Sequence, residues 1–343
     1  MNYLIFRTDR IGDFLITSPL IKAIKRNDPK SIIYMVGSNK NEDFIRNYNL
    51  IDEVFVLKSN KIKDRFKLFL ELRKKKFDHI IIADKKNRSI FLGIFLNSKN
   101  KIFNVSKKIH KIILKIFYKN IFLDNDNFQN QSTKDIFGKN CKCLTFDLKD
   151  EDFQYLKTNQ FKNEYLHNDL LKLENLDFLI LHYDEKWEIQ NYSKSFKRAI
   201  DFTDININLE DFINFLSDLS KKTSKKIIIT TGTIETKIIE EIKNSSNKIN
   251  EFIYEINLNG TKGYLLISQN FFSVSHVISM SSLFISCHGA FTHIASNFNV
   301  TILDIIEKDK TVHYTKITSH MKNYKHLYRD NFLKLSKDII NNS

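Results

Sequence analysis

The alternation of short β-rich runs with longer amphipathic runs is the feature that most restricts the fold of this chain. Apolar residues at helical spacing fill the intervals between the β-rich runs. Strands that alternate with helices are typical of a doubly wound parallel sheet. The first series predicts strands at Tyr3–Phe6, Ile32–Val36, Glu53–Leu57, His79–Ala83 and Lys101–Val105, with helices at Leu20–Arg26, Ile62–Lys76 and Ser89–Leu96.

A second series of the same kind follows a polar middle stretch, Asn120–Glu174, which we interpret as irregular segments and a linker. Two such series in 343 residues predict an α/β protein with two Rossmann-like domains facing a cleft. The second series predicts strands at Phe178–Tyr183, Lys226–Thr231, Leu265–Ser268, Leu283–Ser286 and Thr301–Ile305, and helices at Leu209–Leu219, Glu235–Lys243, Ser273–Ser279, Phe291–Ser296 and Phe332–Ile340.

The net charge of +14 indicates either an anionic partner or a bias in composition. Nucleic acid, an anionic lipid surface and phosphorylated small molecules are the polyanions that such a charge attracts. An AT-rich genome, which inflates Lys, Asn, Ile and Phe, accounts for much of the same excess. The lysines are concentrated in the first half, notably in "KDRFKLFLELRKKKFDH" and in the stretch that starts at Ile109.

The sequence favours a cytoplasmic protein. Its three cysteines, Cys141, Cys143 and Cys287, have no metal-ligand spacing and cannot all pair, which fits a reducing compartment. The N-terminus lacks the pattern of a signal peptide, and no uncharged apolar run approaches the ~20 residues of a membrane helix.

Doubly wound sheets bind ligands at the carboxyl ends of their strands, so the loops there hold the candidate functional residues. After the first strand, "RTDRIGDFLITSPL" places Gly12 at a sharp turn and Asp13 in the first turn of a helix. Asp13 is a candidate general base at the mouth of a cleft. The alternative is a carboxylate that only satisfies the helix N-terminus.

Two loops of the second series carry weaker signals. Lys186 follows a strand in "LHYDEKWEIQ" and suits a phosphate, although it is one of 54 basic residues and an ordinary surface lysine is an alternative. In "IIITTGTIETK" the hydroxyl and backbone groups of Thr231, Gly232 and Thr233 suit an anion or a ribose. An ordinary strand-to-helix turn explains that loop equally well.

The loop "LFISCHGAFTHIASNF" combines a small-residue turn with two histidines. Gly289 allows close approach of a ligand, and a helix that starts near Ala290 offers backbone N–H donors to a diphosphate. His288 and His293 flank the turn, and a core or capping role is the alternative for each.

In their order and spacing these motifs resemble glycosyltransferase family 9, the ADP-heptose:lipopolysaccharide heptosyltransferases. The resemblance rests on Arg10-Ile11-Gly12-Asp13, Thr17-Ser18-Pro19-Leu20, Lys186-Trp187, Thr231-Gly232 and "ISCHGAFTHIAS". It implies a GT-B fold with an acceptor-side domain at 1–165, a nucleotide-sugar domain at 166–325, and a C-terminal helix at 326–343 that crosses back to the first domain.

The resemblance also implies a function and a set of site residues. The chain would transfer a sugar, a heptose by the match, from a nucleotide sugar to a cell-surface glycan or lipopolysaccharide-core-type acceptor, with inversion and without metal or other cofactor. Asp13 would be the base. Donor contacts would come from Lys186, Thr231, Gly232, Thr233, His288, Gly289, Ala290, Thr292 and His293, and acceptor contacts from Arg10, Gly12, Lys85 and Arg88.

One departure from the family pattern concerns the donor. The family has Asp-Ser/Thr-Gly before its histidine, and alignment on His293 places His288 at the aspartate position. The substitution leaves the donor sugar open. The segment "NYSKSFKRAIDFTDININ" after Trp187 is also unlike the pattern, and we interpret it as a surface loop.

Membrane association is a further expectation. An acceptor in an anionic leaflet would attract a basic domain to the inner face of the membrane. The basic amphipathic stretch Ile109–Tyr118 is the candidate contact, and a lysine-rich solvent face is the alternative.

Three other function classes are weighed against transfer. A catalytically inactive nucleotide- or glycan-binding protein of the same fold is consistent with His288, although an intact Asp13 argues against it. A nucleic-acid binder fits the charge, but no RRM, KH, zinc-finger or helix-turn-helix pattern is present, so we expect no nucleic-acid partner. No G-x-G-x-x-G follows the first strand, which disfavours a nicotinamide dehydrogenase.

Overall fold

The computed structural model describes residues 1–105, 108–117, 123–124, 131–154, 156, 177–188, 205 and 207–343. It divides into two compact units. The first comprises Met1–Lys162 and Thr315–His320, and the second comprises Asn163–Tyr314 and Met321–Ser343. The predicted domain boundary at 165/166 and most of the segment that begins at Asn191 lie outside the described residues.

The first unit is a parallel sheet with the strand order β3-β2-β1-β4-β5-β6. Its strands are β1 (Asn2–Phe6), β2 (Ile32–Ser38), β3 (Glu53–Leu57), β4 (Phe77–Ile82), β5 (Ser98–Val105) and β6 (Leu123–Asp124). Its helices are α1 (Ile11–Asn27), α2 (Glu42–Arg46), α3 (Ile62–Arg73), α4 (Asn87–Phe95), α5 (Lys108–Phe117) and α6 (Thr133–Cys143).

The second unit has the sheet order β14-β13-β12-β7-β8-β11-β10-β9, parallel except where β10 pairs with β11 and β9. Its strands are β7 (Phe178–Tyr183), β8 (Lys226–Thr231), β9 (Asn247–Lys248), β10 (Ile253–Leu258), β11 (Thr261–Leu266), β12 (Leu283–Cys287), β13 (Thr301–Ile306) and β14 (Tyr324–Tyr328). Its helices are α7 (Leu209–Thr223), α8 (Lys237–Ser245), α9 (Phe271–Met280), α10 (Ala290–Ala295), α11 (Thr311–Ile317) and α12 (Phe332–Asn342).

The first strand of each series lies in the middle of its sheet. β1 is flanked by β2 and β4, and β7 is flanked by β8 and β12. Both strands are buried on both faces, which explains why their sequences are continuous apolar runs rather than alternating ones. On one side of each central strand the connections run toward one end of the sheet, and on the other side they run toward the opposite end. The resulting switch points, after β1 and β4 and after β7 and β12, are where such sheets bind ligands.

Both predicted series of strands are confirmed, and the structure adds elements that the pattern did not reveal. The antiparallel hairpin β10–β11 turns at Asn259 (φ 50°) and Gly260 (φ 95°), a left-handed pair typical of two-residue hairpins. The pattern also missed short elements such as α2, β9 and α11. The middle stretch, predicted to be irregular, contains α6 with Ser132 as its N-cap, and β14 lies between α11 and α12, where no element was predicted.

The C-terminal helix α12 packs within the second unit, and its predicted crossing toward the first domain stays a prediction. The Phe332 ring of α12 packs against the rings of Phe212 and Phe215, and α12 contributes to the core of the second unit. The amphipathic helix has its apolar partner within its own unit. The segment that groups with the first unit is Thr315–His320, where the His320 ring stacks on Phe153 with centroids 4.7 Å apart.

Phe332 and its neighbour Leu333 test this packing. Phe332 is buried and Leu333 is exposed on the same helix. Phe332→Ala should lower the free energy of unfolding of the second unit by about 3–5 kcal/mol because it leaves a cavity, whereas Leu333→Ala should change it by less than about 0.5 kcal/mol. Urea titration followed by the fluorescence of Trp187, the single tryptophan and a member of the same core, measures both. Equal effects of the two variants would contradict the assigned packing.

Candidate functional site

A cavity of about 170 Å³ lies at the switch point of the second unit. β8, β7 and β12 are consecutive neighbours in the sheet, so the loops that follow them meet at one edge. Those loops and the first turn of α10 form the cavity wall. Its lining residues are His182, Asp184, Glu185, Lys186, Gly232, Thr233, Ser286, Cys287, Gly289, Ala290, Phe291 and Thr292.

The Lys186 ammonium connects two of these loops. Its Nζ lies 2.8 Å from Asp184 Oδ2 and donates to the carbonyl oxygen of His288 at 3.0 Å, with a long contact of 3.5 Å to that of Cys287. Burial acts to lower the pKa of Lys186, but the adjacent Asp184 carboxylate outweighs it and holds the pKa above its usual range. The cavity wall therefore contains a positively charged Lys186 that is paired with Asp184, and an anion could take the place of the long contact with Cys287.

Two glycines make room for this charge. A Cβ at Gly289 would lie 2.9 Å from Lys186 Nζ, and one at Gly232 would lie 3.0 Å from Cβ of Asp184. The Gly289 backbone is extended (φ −168°), so the reason for glycine there is space and not conformation. The group that approaches Gly289 in the structure is the Lys186 ammonium, and the close approach of a ligand there stays a prediction.

Glu188 fixes the loop that carries Lys186. Its carboxylate accepts hydrogen bonds from Tyr183 Oη at 2.9 Å and from the backbone N–H groups of Lys237 and Ile238 at 2.8 and 2.9 Å. These two donors belong to the first turn of α8, where a carboxylate is favoured. Glu188 therefore ties the loop after β7 to the helix after β8.

His288 is held by a buried carboxylate. Its Nδ1 lies 2.6 Å from Oδ2 of the fully buried Asp304, which also accepts from Tyr324 Oη at 2.8 Å. Thr292 Oγ1 donates to the other oxygen of Asp304 at 3.2 Å. The resemblance places His288 where the family has an aspartate, and here a carboxylate lies behind the imidazole instead.

The structure brings together six of the nine predicted donor-side residues: Lys186, Gly232, Thr233, Gly289, Ala290 and Thr292. The other three do not line the cavity: Thr231 ends β8, His288 contacts Asp304, and His293 is buried in α10. Sequence reasoning missed Asp184, which was visible as an acidic residue directly after a buried strand.

Asp13 lies at the switch point of the first unit, in the first turn of α1. One carboxylate oxygen lies 3.4 Å from Nη2 of Arg7, and the other accepts from the backbone N–H of Arg10 at 3.2 Å. The side chain is 42% exposed, so it is open to an incoming hydroxyl while Arg7 and the helix terminus hold it in place. The structural and the catalytic interpretations of Asp13 are therefore compatible.

Two further carboxylates at this edge were missed by sequence reasoning. Asp9 contacts Nζ of Lys86 at 3.1 Å and Arg7 at 3.7 Å, and its pKa is raised by burial, which Arg7 partly opposes. Asp84 is buried and accepts from the hydroxyls of Thr8 and Ser89, both at 2.6 Å. Asp84 organises the loop, and Asp9 adds a second acidic group near Asp13.

The predicted acceptor-side residues differ in their contacts and exposure. The Arg88 guanidinium binds Thr8 and Asn60, so it serves the first unit's own loops. Lys85 has a left-handed backbone (φ 55°), and burial together with Arg7 lowers its pKa to about 7. Arg10 is exposed next to Asp13, and Gly12 lies within α1 without a positive φ, so the turn predicted there is made by the preceding residues.

Within the described ranges, no group of three or more His, Cys, Asp or Glu side chains is arranged to hold a metal ion. In that same part of the chain, no helix is both long and apolar enough to cross a bilayer.

Solved structures with a similar fold include glycosyltransferases. Heptosyltransferase WaaC of E. coli, solved with ADP, superposes with a TM-score of 0.65 at 14% identity, covering 100% of this chain and 98% of that one. A glycosyl transferase family 9 protein from Veillonella parvula DSM 2008 gives 0.62 at 13% identity over 95% and 85% of the two chains.

The chain has the heptosyltransferase-like GT-B fold. The same fold also occurs in UDP-GlcNAc 2-epimerase from Methanocaldococcus jannaschii, with a TM-score of 0.55 at 14% identity over 100% of this chain and 92% of that one. GT-B architecture therefore does not by itself separate transfer from epimerisation.

Sequence comparison adds little. No family model matches the chain. A CRISPR-associated endoribonuclease Cas13a of Leptotrichia wadei (strain F0279) is 25% identical over 264 residues, which are 75% of this chain and 22% of that protein. The chain thus spans about a fifth of the length of that relative.

The buried His182 in the cavity wall should make the stability of the fold sensitive to acid. Burial lowers its pKa from 6.5 to about 4, and its Nδ1 lies 2.9 Å from Thr230 Oγ1. Between these pH values the unfolded chain binds a proton that the folded chain does not, so stability should fall as pH falls through that window. His182→Asn should flatten the profile by up to about 1.4 kcal/mol per pH unit, measured by urea titration of Trp187 fluorescence. Above pH 7 the two profiles should run parallel, and an unchanged slope below it would refute the assignment.

Proposed function

We propose that the protein is an inverting, metal-independent glycosyltransferase that moves a sugar from a nucleotide sugar to a cell-surface glycan or lipopolysaccharide-core-type acceptor in the cytoplasm. A heptose is the donor sugar that the resemblance favours. The observation that carries the proposal is the position of Lys186 beside Gly289 at one switch point of a GT-B chain whose other switch point carries Asp13.

The donor would bind in the cavity of the second unit. A diphosphate there would replace the long contact of Lys186 with the carbonyl oxygen of Cys287 and gain a charge-assisted hydrogen bond. A Cβ at Gly289 would lie 2.9 Å from Lys186 Nζ, so glycine leaves that position open for a phosphate oxygen to approach the ammonium. Lys186 is charged throughout the physiological pH range, so it can stabilise the leaving diphosphate without a metal ion.

The acceptor would react at Asp13. Its carboxylate takes the proton of an acceptor hydroxyl, whose oxygen forms a bond to the anomeric carbon of the donor. The bond from that carbon to the diphosphate oxygen breaks, and the nucleoside diphosphate leaves with the electron pair. The contact with Arg7 orients the Asp13 carboxylate.

His288 bears on the choice of donor. Because the Nδ1–H of His288 is directed at the Asp304 carboxylate, Nε2 is the acceptor nitrogen of the ring, and His288 can accept a hydrogen bond as the family's aspartate does. A sugar carrying a hydroxyl donor at that position would fit better than one without it. A nucleotide-binding protein without transferase activity is the second candidate, and His288 is the observation that favours it.

Donor binding is measured by thermal shift with nucleoside diphosphates and nucleotide sugars in the presence of EDTA. A ligand at 100 times its dissociation constant stabilises the folded state by about 2.7 kcal/mol, so a weak ligand at millimolar concentration raises the melting temperature measurably. Lys186→Ala and Gly289→Ala should abolish the shift. Lys237→Ala, at a side chain that is 82% exposed, is the matched control and should keep it.

Asp13→Asn tests the chemical step. The variant should keep the nucleotide-dependent thermal shift and lose at least about a hundredfold in the release of nucleoside diphosphate from donor plus acceptor, because general base catalysis is removed. Asp43→Asn, an exposed aspartate in the first turn of α2, is the control and should retain activity.

Three results would redirect the assignment. A thermal shift without turnover on any acceptor, unchanged in Asp13→Asn, would favour the inactive binding protein. Interconversion of UDP-GlcNAc without an acceptor would favour epimerisation. Salt-steep binding to generic DNA or RNA with no nucleotide-dependent shift would favour a nucleic-acid binder.

A further inference from the structure

Exposed apolar side chains are concentrated on one layer of the first unit. Among the described residues, fifteen large hydrophobic side chains are exposed, and eight of these lie on α3, α4 and α5. They form rows at helical spacing: Ile62, Phe66 and Leu70 on α3, Phe91 and Phe95 on α4, and Ile109, Ile112 and Ile116 on α5. Single exposed hydrophobic residues are normal, but rows on three helices of one layer mark an interaction surface.

The three helices cover the same side of the sheet. Their inner faces contribute to one core cluster, through Leu68 and Leu72 of α3, Ile90 of α4 and Leu114 of α5. Right-handed crossovers after β3, β4 and β5 put these helices on one face of the sheet, whereas α1 and α2 cover the other. The rows on α3, α4 and α5, which we call the outer face, therefore point away from the core.

The charge of the outer face restricts what can cover it. α4 and α5 contain no acidic residue. α3 contains Asp64 and the exposed Glu71, but exposed lysines at 61, 63, 67, 74 and 76 outnumber them in the same region. Lys63 and Lys67 lie directly beside Ile62 and Phe66 along α3. A second copy of the chain would bring two basic faces together and be repelled. An anionic surface with an apolar interior satisfies both the lysines and the aromatic rows.

We propose that the outer face docks on an anionic lipid bilayer. The side chains of Phe66, Phe91 and Ile112 enter the boundary between headgroups and acyl chains, and Lys63 and Lys67 bind lipid phosphates. This binding is peripheral, through helices that lie along the surface.

The docked orientation would bring the reactive edge near the membrane. α3, α4 and α5 start directly after β3, β4 and β5, so their N-termini lie at the carboxyl edge of the sheet. Asp13 follows β1 at that same edge. This consequence for Asp13 rests on the proposed function, whereas the docking surface itself does not.

Vesicle flotation of the full chain tests the docking surface. The probes are phosphatidylcholine vesicles and vesicles of phosphatidylcholine mixed with phosphatidylglycerol. The wild type should float with the mixed vesicles and not with the neutral ones, and added salt should weaken binding. The variants F66S/F91S/I112S and K63E/K67E should each bind the mixed vesicles about tenfold or more weakly.

A matched control uses the second unit. Leu333 and Lys337 are exposed on α12 at i and i+4, so L333S/K337E makes the same chemical changes on another amphipathic helix and should float like the wild type. Melting temperatures of all variants establish that they are folded.

Three outcomes would overturn the proposal. One is that the wild type floats equally well with neutral and anionic vesicles, and another is that F66S/F91S/I112S binds the mixed vesicles as tightly as the wild type. A dimer in solution that this variant converts to a monomer would assign the face to a second copy of the chain. The assay contains no nucleotide. Intact vesicle binding without a nucleotide-dependent thermal shift would therefore sink the proposed function alone, and the converse result would sink the docking surface alone.

Discussion

Parallel pairing around two central strands is the constraint on which the rest of this structure depends. β1 and β7 are each buried on both faces and paired on both edges, so every helix of a series must lie above or below the sheet. Beside each central strand the connections diverge toward opposite ends of the sheet. The loops that follow the two neighbouring strands there separate, and a crevice forms between them at that edge of the sheet. Asp13 lies at such an edge in the first unit, and Lys186 lies at the corresponding edge in the second.

Electrostatics gives the two edges different properties. In the second unit the Asp184 carboxylate and the backbone carbonyl oxygens hold the Lys186 ammonium, so the charge is fixed before any ligand arrives. In the first unit Asp13 is more open, with Arg7 as its partner. A preorganised cation suits a ligand with a fixed negative charge, and an accessible carboxylate suits the transfer of a proton.

Most of the architecture could be predicted from the sequence because buried parallel strands and amphipathic helices have distinct periodicities. The positions of Asp13, Lys186 and Gly289 followed from the rule that function lies after strands. The features that could not be predicted depend on contacts between residues far apart in the sequence. Nothing near Phe332 in the sequence indicates that its ring packs on α7, and nothing near His288 indicates that Asp304 lies behind it on β13. β14 was missed because its residues alternate weakly and its burial comes from pairing with β13.

The segment Thr315–His320 has a consequence for how this chain could be divided. It belongs to the first unit although the chain before and after it belongs to the second. Neither unit is therefore one continuous stretch of polypeptide. A fragment that ended after the first sheet would lack the ring of His320 and expose the face of Phe153 against which it stacks. Recombination at the point where the first sheet ends would therefore leave the first unit without this segment.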